Sequence, residues 1–97
     1  MTNKFEWDSA KNALNLKKHG ISFEEASKIF NGPILTKLDE RGYSNEIREL
    51  SFGLISGIVV IALAHTDRNG TIRIISARRA TKMERKIFYA YLNKTFG

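Results

Sequence analysis

The stretch from residue 73 to residue 86 carries most of the net positive charge of this 97-residue chain. It holds a single acidic residue, Glu84, against six basic ones, while the formal net charge of the whole chain is +6. The basic residues are Arg73, Arg78, Arg79, Lys82, Arg85 and Lys86. Cationic groups at the end of a strand and on the first turns of a helix can project together into solvent, where they attract a polyanion. The pattern predicts a phosphate-binding surface at a strand-to-helix junction.

Histidine is the other residue type here that could take part in catalysis. The chain has two, His19 and His65, and no cysteine. These residues form no metal-binding motif, so neither a metal site nor a cofactor is predicted. Arginine and histidine together fit metal-independent RNA cleavage, in which the ribose 2′-OH is the nucleophile, arginine stabilises the phosphoryl charge and histidine moves protons. The same residues also fit a surface that only binds, and the residues alone leave both possibilities open.

Composition limits the class of protein. The chain is long enough for one domain over residues 1–97, and its 42% hydrophobic and 27% charged residues are typical of a folded protein. Its longest apolar run, Ile58 to Ala64, is much shorter than the roughly 18 residues that span a bilayer. The N-terminal residues lack the apolar segment of an export signal. We therefore expect a cytoplasmic protein with no membrane contact.

The first third of the chain predicts two helices. Asp8 is a good N-cap for a helix from Ser9 to His19, whose apolar positions are alanines and leucines, and Gly20 fits its C-terminal end. Ser22 begins a capping box for a second helix that runs to about Phe30. A short strand is predicted before Asp8, at residues 5–7. This region therefore predicts a strand followed by a helical corner.

The middle of the chain predicts four strands. They are Ile34–Leu38, the alternating segment around Leu50–Leu54, the apolar run Ile58–Ala64, and the segment after the hairpin signal Asn69-Gly70. If Asn69 and Gly70 form the hairpin loop, Thr66 pairs with Arg73 and His65 pairs with Ile74. Arg73 and His65 then lie on opposite faces of the sheet. The alternation also places Arg48 on the Leu50 face.

A last helix is predicted from about Ala80 to Lys94. Its expected buried stripe consists of Ala80, Met83, Ile87, Ala90 and Tyr91. The predicted order is β-α-α-β-β-β-β-α. This order defines an α+β fold: a small antiparallel sheet with two N-terminal helices and one C-terminal helix, and helices on one side of the sheet.

Several segments resemble the BrnT family of toxins from bacterial type II toxin–antitoxin systems. They span nearly the whole chain in the family's order: residues 5–8 with Lys11, Asn15 with residues 18–20, Phe23 through Ala26 to Phe30, Pro33, residues 73–80, residues 84–85, and Tyr89. Near position 46 the family usually has two acidic residues before an arginine, whereas this chain has Glu46, Ile47 and Arg48. The opening and closing segments, at this separation, are specific to the family.

The resemblance implies a RelE/ParE-like fold and an endoribonuclease that cleaves RNA and arrests translation. It also implies neutralisation by a cognate ribbon-helix-helix antitoxin, similar to BrnA, in a hetero-oligomer. Together with the cationic junction, it predicts catalytic roles for His19, Arg73, Arg78 and Arg79, and RNA contacts by Lys11, Lys18, Arg48 and Lys82.

Alternatives remain open at several residues and for the function. His19 could instead cap the end of its helix, one of the paired arginines could form an ion pair with Glu84, and His65 is expected to be a packed residue. The whole protein could be a non-catalytic basic module that binds nucleic acid or an acidic antitoxin segment. It could also be a ParE-like inhibitor of a protein target such as gyrase.

Overall fold

Eight elements form the part of the chain that the computed structural model describes, residues 4–39 and 47–96. They are β1 (Lys4–Glu6), α1 (Ser9–His19), α2 (Phe23–Ala26, continued by a 3-10 turn over Ser27–Asn31), β2 (Leu35–Leu38), β3 (Glu49–Ile55), β4 (Val59–Arg68), β5 (Thr71–Arg79) and α3 (Lys82–Phe96). The predicted α+β fold and its order β-α-α-β-β-β-β-α are confirmed. Of the predicted loop after Leu38, only Asp39 is among the described residues; residues 40–46, including Glu46, lie outside them.

The strands form one sheet in the order β1-β5-β4-β3-β2. The pairs among β2, β3, β4 and β5 are antiparallel, whereas β1 runs parallel to β5. The prediction of a purely antiparallel sheet is therefore wrong for β1. Its partner is more than 60 residues away along the chain, so no local turn signal could indicate the pairing. This contact brings Glu6 beside Arg73.

Two tight turns set the register of the antiparallel strands. Ser56, Gly57 and Ile58 join β3 to β4, and Asn69 and Gly70 join β4 to β5. Asn69 and Gly70 both have a positive φ, which is the geometry of a two-residue hairpin loop, and Ser56 and Gly57 have a positive φ in the longer loop. The predicted pairs Thr66–Arg73 and His65–Ile74 are confirmed. A bulge at Ala64/His65 then shifts the register, which the local pattern did not reveal.

The sheet is covered on both faces. One core contains Ile61, Leu63 and Ile74 and packs against α2 and its 3-10 turn, while the other contains Val60, Ala62 and Phe88 and packs against α3. The prediction that the helices lie on one side is wrong. Because β4 is apolar at every position from 59 to 64, both of its faces need a covering layer. That burial on two faces was predicted for β4, and it is confirmed.

A polar residue anchors α1. Asn15 is 7% exposed; its side-chain amide donates to the carbonyls of Ile21 and Ala77, both at 2.9 Å, and its oxygen accepts the Ala77 N–H at 3.1 Å. Leu14 and Leu16, two of the apolar positions of the helix, are 65% and 51% exposed. The hydrogen bonds of Asn15, rather than these leucines, tie the helix to β5. The predicted caps are confirmed: the Asp8 carboxylate accepts from two N–H groups, and Gly20 closes the helix with a φ of 72°.

The C-terminal helix begins later than predicted and buries a different face. Thr81 and Glu84 form a reciprocal capping pair at its start. Phe88 is fully buried, whereas Met83 and Ile87 are 65% and 53% exposed. The predicted stripe through Met83 and Ile87 is therefore wrong: Glu84 lies on the sheet side of the helix, where it forms an ion pair with Arg78. Among the described residues, no helix is long and apolar enough to cross a membrane.

Candidate functional site

A small cavity of about 210 Å³ at one corner of the sheet gathers four basic side chains. Its lining consists of Lys11, Arg48, Thr66, Arg68, Arg73 and Ile75. Within the described part of the chain, no acidic side chain lines it. A cavity of this size with several cationic donors is suited to an oxyanion such as a phosphate group, which arginine can bind through two parallel hydrogen bonds.

The β4–β5 hairpin and two neighbouring elements bring these side chains together. Thr66 is the direct cross-strand partner of Arg73, and Arg68 follows two residues later on the same face of the sheet. Arg48 immediately precedes β3, two residues before Leu50, and therefore points to this face as well. Lys11 comes from the first turn of α1, which directly follows β1 at the edge beside β5.

Glu6 holds the two hairpin arginines in place. Its Oε2 accepts a hydrogen bond from Arg73 Nη1 at 2.9 Å, and Arg68 Nη1 lies 3.9 Å from the same oxygen. The parallel register of β1 and β5 sets this contact, because Glu6 is the partner of Arg73. The arginine side chains remain 31% and 46% exposed. Both guanidinium side chains are therefore partly accessible from solvent.

Thr66 provides a hydroxyl group that none of the described residues uses. The residue is 3% exposed, and its Oγ1 has no hydrogen-bond partner among the described residues. A buried hydroxyl without a partner destabilises a fold, so such groups are uncommon unless a ligand satisfies them. Because Thr66 lines the cavity beside Arg73, a bound oxyanion could accept this hydrogen bond.

A larger groove of about 670 Å³ runs along α1 next to the cavity. Its lining consists of Lys11, Leu14, Asn15, Lys17, Lys18, His19, Ile75 and Ser76. Lys11 and Ile75 line both sites, so the groove and the cavity adjoin each other. The last turn of α1 is entirely basic, with Lys17, Lys18 and His19, which places positive charge at the far end of the groove.

The other predicted site residues lie elsewhere. Arg78 donates two hydrogen bonds to Glu84, at 2.7 and 3.0 Å, and this guanidinium is the main cause that lowers the pKa of Glu84 to about 2. The alternative of an ion pair is thus confirmed for Arg78. Arg79 pairs with Ile61 and points to the opposite face from Arg78, and Lys82 is an exposed residue in the first turn of α3. Neither of the two lines the cavity or the groove, and their roles stay predictions.

The two histidines have different environments. His65 is 4% exposed, packs edge-on against Phe30 at a centroid distance of 5.4 Å, and hydrogen bonds through Nε2 to Ser51 Oγ at 2.7 Å. Burial lowers the pKa of its imidazole. The expectation of a packed residue is confirmed for His65. His19 lines the groove, eight residues beyond Lys11 and therefore about 12 Å further along the helix axis.

The structure thus brings together three predicted residues at the cavity, Lys11, Arg48 and Arg73, and two more in the groove, Lys18 and His19. Sequence reasoning missed Arg68 and Thr66 as site residues. The hairpin register contained the signal, because it places positions 66, 68 and 73 on one face. Glu6 could not have been found in this way, since its position depends on the parallel pairing of β1.

An α+β sheet with a phosphate-sized cationic cavity that opens into a basic groove indicates a protein that acts on nucleic acid. Comparison with known families identifies the class of protein. The family profile described as "Ribonuclease toxin, BrnT, of type II toxin-antitoxin system" matches residues 7–84. The chain belongs to this BrnT family, which implies endoribonuclease activity, an RNA substrate and a cognate antitoxin.

A solved structure supports the fold. The crystal structure of the Brucella abortus ribonuclease toxin BrnT is similar with a TM-score of 0.62 and 24% sequence identity, over 84% of this chain and 100% of that chain. At this level of identity the similarity establishes the shared fold. No curated protein sequence matches the chain.

Proposed function

We propose that this protein is a metal-independent endoribonuclease whose cationic cavity binds the scissile phosphate of RNA. The observation that carries the proposal is the cavity itself: Arg48, Arg68, Arg73 and Lys11 surround a space of about 210 Å³ that no described acidic residue lines. Cleavage inhibits translation in the cytoplasm, and the cognate antitoxin, a ribbon-helix-helix protein similar to BrnA, neutralises the toxin in a hetero-oligomer.

The reaction uses the substrate's own nucleophile. The ribose 2′-OH gives up its proton and attacks the adjacent phosphorus, and the bond from phosphorus to the 5′-oxygen breaks as that oxygen takes up a proton. The products are a 2′,3′-cyclic phosphate and a free 5′-OH. Charge on the phosphoryl oxygens increases in the transition state, so preorganised guanidinium groups accelerate the step. Arg73 is suited to this role because its hydrogen bond to Glu6 orients the guanidinium, and Arg68 lies beside it, 3.9 Å from the same carboxylate oxygen.

The groove along α1 extends the site. Lys18 and Lys11 bind the RNA backbone next to the scissile phosphate, where phosphate contacts add affinity that depends on salt. His19 is assigned to the same groove, and its part in proton transfer stays a prediction. Arg78 supports the start of α3 through its hydrogen bond to Glu84. Arg79 and Lys82 line neither the cavity nor the groove, so any RNA contact that they make lies outside both.

The test is incubation of the purified protein with RNA in the presence of EDTA. The proposal expects cleavage that EDTA does not reduce and products that end in a 2′,3′-cyclic phosphate. Tight, salt-sensitive binding with intact RNA would instead indicate a non-catalytic module. Growth arrest through blocked replication, with RNA spared, would indicate an inhibitor of a protein target such as gyrase. Either of these outcomes would contradict the proposal.

A further inference from the structure

The groove along α1 contains an apolar surface that the protein's cores do not account for. Leu14 lies between Lys11 and Lys18 on the helix, lines the groove and is 65% exposed. Ile75, at the bulged part of β5, lines both the groove and the cavity and packs only partly against the core under α3. Because Asn15 anchors α1 through hydrogen bonds, Leu14 is not needed to attach the helix to the sheet.

This apolar surface lies directly beside the proposed phosphate site. Lys11 and Ile75 line both spaces, so the groove begins where the cavity ends, next to a phosphate bound in the cavity. Basic side chains flank the apolar pair, at Lys11 on one side and at Lys17, Lys18 and His19 on the other. An apolar surface between cations matches a nucleotide, which combines a flat, largely apolar base with an anionic backbone.

We propose that the groove binds the nucleoside next to the scissile phosphate, with its base against Leu14 and Ile75. The inference rests on the proposed function, because the phosphate in the cavity sets the position of this nucleoside. The volume of about 670 Å³ is within the range of sites for small molecules and is ample for one nucleoside. The contact with the base is made by aliphatic side chains that form no hydrogen bonds, so it does not distinguish one base from another.

The test uses a single-stranded RNA in which every nucleotide but one carries a 2′-O-methyl group. Only the remaining 2′-OH can attack, so the scissile phosphate is defined by the substrate. Two further probes carry an abasic residue, either at the scissile nucleotide or at its 3′ neighbour. For the wild-type protein, we expect one of the two abasic probes to reduce kcat/KM about 10-fold or more relative to the intact probe, the order of magnitude of one base contact.

A pair of variants on one helix provides the control. Leu14→Ser should cleave the intact probe and the sensitive abasic probe at nearly equal rates, because the base contact is already lost. Leu16→Ser removes a leucine of α1 that is similarly exposed but does not line the groove, and it should keep the wild-type ratio. Circular dichroism and thermal unfolding should show that both variants are folded, since neither side chain is buried.

The possible results separate the inference from the proposed function. Efficient cleavage of all three probes by the wild type, or an unchanged ratio in Leu14→Ser, would overturn the base site and leave the ribonuclease site standing. A failure of the wild type to cleave the intact probe would contradict the ribonuclease site and the base site together. Loss of discrimination in Leu14→Ser alone, with Leu16→Ser unchanged, supports the inference.

Discussion

At the scale of single residues, the arginines of the site differ from the other basic residues in the contacts that their guanidinium groups make with carboxylates. Arg73 donates a hydrogen bond to Glu6, Arg68 lies 3.9 Å from the same carboxylate oxygen, and both side chains remain partly exposed. Arg78, in contrast, uses two donors on Glu84 at 2.7 and 3.0 Å. A guanidinium already engaged by two hydrogen bonds has less capacity to bind a phosphate. Residue type alone could not make this distinction within the segment 73–79.

Thr66 gives the first prediction, because its hydroxyl should affect stability and function in opposite directions. Thr66→Val replaces the buried Oγ1, which has no hydrogen-bond partner within residues 4–39 and 47–96, by a methyl group of similar size. We expect the free energy of unfolding to stay the same or to rise by up to about 1 kcal/mol, because a buried polar group without a partner is removed. RNA cleavage should fall about 10-fold, because the bound phosphate loses a hydrogen bond.

Urea unfolding and cleavage rates of the same Thr66→Val preparation check this prediction. A variant that is clearly less stable than the wild type would show that the hydroxyl has a structural partner. A variant that cleaves RNA at the wild-type rate would remove Thr66 from the site.

At the scale of elements, the attachment of α1 determines the geometry of both cavities, because Lys11, Lys18 and His19 all lie on this helix. A polar residue in a helix normally faces solvent, so the pattern of α1 did not indicate that Asn15 anchors the helix. In the structure, three hydrogen bonds join the buried Asn15 to Ile21 and Ala77. They also leave the apolar side chain of Leu14 free to line the groove.

Asn15→Ala should therefore destabilise the protein strongly. The substitution leaves buried backbone groups of Ile21 and Ala77 without partners, which we expect to lower the free energy of unfolding by about 2–4 kcal/mol. Chemical denaturation measures this loss, and Asn93→Ala in an exposed position of α3 is the control, with a change within about 0.5 kcal/mol. A loss below about 1 kcal/mol for Asn15→Ala would contradict this account of how α1 is attached.

The start of α3 depends on pH through Glu84. The Arg78 guanidinium is the main cause that lowers the pKa of this carboxyl from 4.5 to about 2. Because the pKa in the folded state is below that in the unfolded state, the carboxylate stabilises the fold fully above about pH 4.5, and this contribution is lost as the pH falls towards 2. Glu84→Gln should therefore reduce stability by about 1–2 kcal/mol at pH 7, a value reduced for the partial exposure of the pair.

Urea unfolding at pH 7 and at pH 3 tests this pH dependence. The difference between Glu84→Gln and the wild type should become smaller at pH 3, where part of the contribution of the carboxylate is already lost. An equal difference at the two pH values would show that Glu84 stabilises the fold by packing rather than by its charge.

At the scale of the whole molecule, local patterns predicted most of the fold. The caps Asp8 and Gly20, the turn at Asn69-Gly70 and the two-sided burial of β4 each depend on neighbours in the sequence, and each is confirmed. The parallel pairing of β1 and the placement of α3 on the second face depend on contacts between distant segments. No periodicity within one element contains that information.

The part of the site that lies on the strands was predictable, because it follows from the register of the β-sheet. The hairpin register and the strand alternation place Arg73 and Arg48 on one face of the sheet, and the structure gathers them with Lys11 in one cavity. The sequence did not predict that Arg78 lies away from this cavity. Its position depends on the bulge at Ala64/His65 and on the hydrogen bond to Glu84 of α3, and both form only in the folded protein. Four basic residues from separate parts of the chain thus form one site only in the folded molecule.

In the proposed function, RNA is cleaved at the cavity formed by Arg48, Arg68, Arg73 and Lys11, and not at other basic parts of the protein surface. The most direct measurement compares two double variants that each remove two positive charges. One is Arg48→Ala with Arg73→Ala in the cavity, and the other is Lys28→Ala with Lys94→Ala, two exposed positions outside both cavities. Cleavage rates are measured on one RNA at one salt concentration, after circular dichroism has shown that both variants are folded.

We predict that the cavity variant loses at least about 10²–10³-fold in kcat/KM, because each arginine stabilises charge that develops in the transition state. The control variant should stay within a few-fold of the wild type, because it changes only the general electrostatic attraction for RNA. Equal losses in the two variants, or wild-type cleavage by a folded cavity variant, would contradict the account.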